Sequence, residues 1–126
     1  YDVKENETPE IVADKHHGSP YYHWVVMMLN DISDVNHDWV KSTRQLQKYL
    51  LSKYTEIQLT ETHHYEISQT SGDTTVMIEV ENSTYPSATI VTNYEYEVAI
   101  NESKRKIDLL RNDYLGFFTE EFASLI

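Results

Sequence analysis

"TPEIVADKHHGSPYYHWVVMMLN", residues 8–30, decides how the chain begins to fold. Thr8 can cap a helix with its hydroxyl, and Pro9 falls at the first helical position, where a missing N–H does no harm. Gly18, just after His17, is a stop signal, because glycine readily takes the left-handed backbone that closes many helices. Ser19-Pro20 repeats the starting device, and a second helix is predicted over residues 20–30. Tyr21, Trp24, Val25, Met28 and Leu29 share one of its faces at helical spacing. Every position of residues 24–29 is apolar, however, and a helix apolar all round must be covered on more than one side. Before this stretch, Tyr1 to Glu5 alternates apolar and polar like a short strand, and Trp39-Val40 reads as a returning strand. The expectation is a βααβ unit over residues 1–42, with Val3, Val12, Trp24 and Leu29 in its core.

Beyond it, residues 31–38 are polar and loop-like. Ser42 or Thr43 can cap a third helix in which Leu46, Tyr49, Leu50 and Tyr54 share a face. Residues 63–68 and 74–80 alternate strictly around the turn chemistry of Ser71-Gly72-Asp73, which predicts a hairpin with Tyr65 and Ile67 facing Val76, Ile78 and Val80. Residues 82–87 form a proline-containing loop. Residues 93–105 have a helical pattern, although "YEYEV", residues 94–98, fits a strand equally well. Residues 106–110 are a candidate strand. Residues 113–125 close the chain as an amphipathic helix with Leu115, Phe118, Phe122 and Leu125 inward. The fold class is α+β: the βααβ unit, then a second region over residues 43–126 holding a helix, a β-hairpin and a C-terminal helical segment.

Composition narrows the function. The chain has 126 residues, a net charge of −11 and ten tyrosines. That length holds one domain, or one small domain with an appendage. Affinity for nucleic acid comes from Lys and Arg displacing counterions, so this acidic surface excludes a general nucleic-acid binder and disfavours anionic membranes. The longest apolar run is far below the roughly 20 residues that span a bilayer. Residue 1 is Tyr and not Met, which reads as a chain with further sequence upstream. The absence of cysteine removes disulfide and thiolate chemistry. His16-His17 and His63-His64 are adjacent pairs, whose side chains diverge on a helix or strand, and no His-x-x-x-His spacing appears. His37-Asp38 near Asp34 is a conceivable carboxylate–imidazole site, but polar loops are commonly made this way. No nucleophile motif or phosphate-cradling glycine loop is present. The chain reads as non-enzymatic, with no metal and no cofactor. Tyrosine abundance instead suits wet interfaces, because the ring is apolar while its hydroxyl still needs a partner.

Two resemblances sharpen this. The opening resembles a LysM module: Tyr1, Val3, Thr8, Val12-Ala13, Gly18 and Asn30 match, while Asn6, Glu7 and Pro9 stand where glycine, aspartate and leucine are usual. In glycan-binding members the loop after the first strand helps hold N-acetylglucosamine units, so these departures imply that glycan binding is lost. A longer likeness covers "ADKHHGSPYYHWVVMMLNDISDVNHDWVKSTRQLQKYLLSKY", residues 13–54. Ala13-Asp14, Gly18, Pro20, Trp24, Asn30-Asp31, Asp38-Trp39 and Lys53-Tyr54 are similar to the LysM-like baseplate wedge proteins of T-even-type contractile-tailed phages, the gene product fifty-three family. His17 stands where tyrosine is common. "HHYE" (63–66), "TNYEYEVAINESKRKIDLL" (92–110) and "YLGFFTEEF" (114–122) continue the likeness.

The resemblance implies a structural protein of the virion tail baseplate, assembled in the host cytoplasm. Its partners would be other wedge subunits and subunits ringing the tail hub, with neither nucleic acid nor membrane among them. Thr8, Gly18, Pro20, Trp24, Asn30 and Trp39 are the structural motif residues. Tyr21, Tyr22, Phe117, Phe118 and Phe122 are the candidate partner contacts. The rival reading is a LysM-type module binding peptidoglycan or chitin.

Overall fold

A computed structural model of the chain describes the backbone of residues 1–71, 74–82 and 84–125, and the side chains of these except 70, 71, 74, 124 and 125. In chain order the helices and strands are α1 Pro9–His17, α2 His23–Leu29 after a 3₁₀ turn Pro20–Tyr22, α3 Val35–Asp38, α4 Thr43–Lys53, α5 Glu56–Thr60, β1 Thr62–Ser71, β2 Thr74–Val80, β3 Thr89–Thr92, α6 Asn93–Ser103 and α7 Asn112–Leu125. The fold is α+β. The chain divides into two compact units, one of residues 1–43 with 102–126 and one of residues 44–101.

The first unit follows the local chemistry of its sequence. Thr8 Oγ1 accepts from the Ile11 amide, Pro9 opens α1, and Gly18 ends it at φ 80°, with its N–H donating to Asp14 O. Ser19 Oγ then accepts from the Tyr21 amide and starts the next turn. The core is Val3, Val12, Ala13, Val26, Trp39, Val40 and Ile107.

Two expectations are corrected here. Trp39-Val40 contributes side chains to the core but no strand ladder, because the Trp39 amide is engaged by Val35 O at the end of α3. The opening segment pairs instead with residues 105–107: Asp2 bridges Lys106 antiparallel, Val3 N donates to Arg105 O at 2.8 Å, and Ile107 N donates to Tyr1 O at 2.9 Å. Asn30 holds that returning segment in place. Its Nδ2 donates to Val26 O and Asp108 O, and its Oδ1 accepts from the Asp108 amide, each at 2.8 Å.

The second correction concerns which tryptophan is inside. Trp39 is 4% exposed and its Nε1 donates to Glu7 O at 2.8 Å. Trp24 is only half-buried, and Leu29 lies at the surface. Because residues 24–29 are apolar throughout, their pattern cannot choose the inward face, and Val25 and Val26 take it.

The second unit is a three-stranded antiparallel sheet of order β2-β1-β3, with α4, α5 and α6. Tyr65 pairs with Val80, Ile67 with Ile78 and Gln69 with Val76, the expected hairpin register. Its turn at Gly72 and Asp73 lies outside the described residues. Residues 94–98 are helical: Thr92 Oγ1 accepts from Glu95 N and Glu95 Oε1 accepts from Thr92 N, a reciprocal cap that starts α6. Glu97 is buried and accepts from Lys53 Nζ at 2.7 Å and from the Tyr54 hydroxyl at 3.0 Å. The hydrogen bond that Lys53 donates to Glu97 holds its pKa above the ordinary lysine range.

Candidate functional site

The 3₁₀ turn, α2 and α7 present the largest aromatic group of the first unit. Asn112 fastens the start of α7, since its Nδ2 donates to His16 O at 2.7 Å and its Oδ1 lies 2.6 Å from His17 Nδ1. From there Phe118 and Phe122 reach Trp24, with ring centroids 6.0 and 4.9 Å away. These two phenylalanines are half-buried and cover one side of the all-apolar helix. Tyr22 is also half-buried, packed against the core and edge-on to Tyr21 at 5.4 Å. Tyr21 and Phe117 face solvent, 68% and 69% exposed. The five candidate contact residues therefore separate into two outward rings and three that mainly pack within the unit. The Leu125 side chain and Ile126 lie outside the described residues.

The surface is grooved. Three adjoining cavities of about 530, 520 and 500 Å³ all touch Met28, with Trp24 and Phe122 each shared by two of them. Met28, read from the sequence only as part of an apolar helix face, and Tyr114 are exposed members of this surface that were not among the candidate contacts. Tyr114 could have been found from its spacing of three and four residues to Phe117 and Phe118 on one helix.

The loop before α1 is different in kind. Asn6 adopts φ 65°, a backbone that asparagine tolerates far better than most residues. The Glu7 carboxylate is buried, with Oε1 accepting from the Tyr1 hydroxyl at 2.6 Å and the Lys4 amide at 2.7 Å, while Oε2 meets Lys15 Nζ at 2.7 Å. Burial pushes this carboxyl up, but Lys15, Tyr1 and the Lys4 amide outweigh it and hold the pKa at about 2. Burial, with Glu7 alongside, pushes the Tyr1 hydroxyl up to about 12. This cluster ties the loop to Tyr1 and α1 and leaves both Glu7 oxygens engaged within the protein.

At the polar loop, His37 Nε2 lies 3.6 Å from Asp34 Oδ2, with both side chains largely exposed. Asp38 turns instead to the backbone, accepting from the Ser33 and Asp34 amides. No group of three metal-binding side chains occurs among the described residues. No helix among them is long and apolar enough to cross a membrane.

A family model described as Base plate wedge protein 53 matches residues 1–87, more than half of the chain. The chain belongs to the Base plate wedge protein 53 family. No curated protein matches it. Base plate wedge protein 53 is a structural family of the phage tail baseplate and not an enzyme family. Membership therefore gives this chain a structural role in the virion tail baseplate, with other baseplate subunits as partners. The match takes in α1 to α5, Asn30 and Trp39, whereas β3, α6, the returning segment and α7 lie beyond it.

Proposed function

We propose that the chain joins neighbouring wedge subunits, including those ringing the tail hub, by non-catalytic contacts made through the aromatic surface of its first unit. The observation that carries this is the concentration of exposed Tyr21, Met28, Tyr114 and Phe117 around a groove in a member of a wedge family. Aromatic anchors near the centre of an interface usually supply most of its energy. A LysM-like scaffold on this reading takes Tyr1–Val3, α1 and α2 from the start of the chain and its second strand from the segment around Lys106, which follows α6 in sequence. On this reading the LysM-like frame is a support for subunit contacts.

Cross-linking mass spectrometry on intact particles tests the proposal. Links from α2 and α7 to other subunits are expected, together with a buried area well above about 1,000 Å² in the assembled particle. Contacts below about 800 Å², the size of incidental packing, would overturn it. The glycan-binding rival is disfavoured by the enclosed Glu7 carboxylate. Calorimetry with chitin oligomers should give no binding heat, and micromolar binding would promote that rival.

A further inference from the structure

The groove between α2 and α7 has a charge signature as well as an apolar one. Two of the three cavities lie between α2 and α7, and the third is lined by α2 and residues 31–33. Among their described lining residues the carboxylates are Asp31 and Glu121 and none is Lys or Arg, while Arg111 lies over the Tyr114 ring and pairs with Asp113. Exposed Glu120 adds a third acid on α7 beside Glu121. The walls between these acids are aromatic rings and methionines, which adapt to irregular apolar shapes. Two helices, α2 of 7 and α7 of 14 residues, form two of the depressions, and α2 continues into the third. A third helix packs most readily against such a pair, with apolar side chains at intervals of three and four residues entering successive depressions.

Resting on the reading of this surface as a subunit contact, we infer that its occupant is an amphipathic α-helix of a neighbouring wedge subunit, with Lys or Arg flanking its apolar face. The apolar stripe fills the three depressions over Met28, and the flanking cations meet Asp31 and the acids of α7. Such cations would speed and orient the encounter with a chain of charge −11. A neutral or acidic helix of equal hydrophobicity would gain the apolar contacts and be repelled at the rim.

The test uses the whole chain and synthetic helices of about five turns, roughly 18 residues. One peptide carries leucines on one face with flanking lysines, the second replaces those lysines by glutamates, and the third shuffles the first so that no apolar face forms. Trp24 at the groove reports occupancy through its emission, while Trp39 is buried in the core. The lysine peptide should bind with a blue shift, at least about tenfold more tightly than the glutamate peptide, and should weaken as salt screens the rim. The shuffled peptide should not bind. Phe117→Asp, at a 69% exposed position, should abolish binding while the circular dichroism and the unfolding midpoint stay as in the parent. Equal binding of the lysine and glutamate peptides, or full binding by Phe117→Asp, overturns the inference. Incorporation into particles separates the two readings. If the peptides fail but Phe117→Asp is still excluded from baseplates, the surface is a subunit contact and the basic-helix occupant is wrong. If Phe117→Asp enters baseplates normally, the proposed contact surface itself falls, and the basic helix with it.

Discussion

Glu7 gives the sharpest stability test. Its side chain is 6% exposed, and its pKa is lowered from the ordinary glutamate value of 4.5 to about 2. At 1.36 kcal/mol per pH unit, that fall corresponds to about 3 kcal/mol of folding free energy. Lys15 is 48% exposed, so solvent screens part of the pairing and about 2 kcal/mol is the working expectation. The sign follows from the direction. A carboxyl whose folded pKa is depressed adds stability above its unfolded value, so the contribution is complete at pH 7. It fades as pH falls from 4.5 and is gone below about 2. Glu7→Gln keeps an oxygen for the Tyr1 hydroxyl and the Lys4 amide but removes the titrating charge. Urea unfolding of parent and variant at intervals from pH 7 to pH 2 should show a gap of about 2 kcal/mol near neutrality that closes through this window. Parallel curves, with a constant gap between pH 5 and pH 2, would refute the assignment of acid sensitivity to Glu7.

The remaining tests concern the same unit. Trp39→Ala should cost about 3–5 kcal/mol in denaturant unfolding, because a buried indole and its bond to Glu7 O are lost. Trp24→Ala should cost only about 1–2 kcal/mol, since that ring is half-buried against two phenylalanines; the reverse ranking would contradict the packing described. Asn30→Ala removes two hydrogen bonds with Asp108 of the returning segment and one to Val26 O of α2 and should cost about 2–3 kcal/mol, with faster amide exchange at Val3 and Ile107 as the local readout. Gly18→Ala meets no atom within 4 Å of the added carbon, so its cost should be the backbone strain alone, about 1–2 kcal/mol.

What could be read from the residues was the part written in local chemistry. Thr8, Pro9 and Gly18 bound α1 because each acts on backbone groups within a turn of itself, and the hairpin followed from strict alternation on both sides of local turn chemistry. α5 has five residues and β3 has four, too few for a periodic signal. The reciprocal cap of Thr55 and Gln58 before α5 was its one legible mark. Pairing between residues 1–3 and 105–107 left no local trace, because alternation names a strand without naming its partner. The exchanged roles of Trp24 and Trp39 have a similar origin: six consecutive apolar residues give no direction, so the burial of α2 is decided by neighbours far along the chain. At the candidate site, aromatic content pointed to Tyr21 and Phe117, but the division between outward and packed rings depends on the approach of α7 to Trp24.

The bond between the two distant ends of the first unit also orders events during synthesis. Residues 44–101 are contiguous, so that segment can fold as soon as it has left the ribosome. The first unit must wait for Ile107, because Val3, Val12, Val26 and Trp39 share a core with it. Until then the nascent chain carries an unfinished apolar surface, and closing it requires joining segments about one hundred positions apart, the slow kind of contact in folding. A ribosome stalled before position 105 would therefore release a chain whose middle is complete and whose beginning is adhesive, a natural substrate for chaperones and proteases.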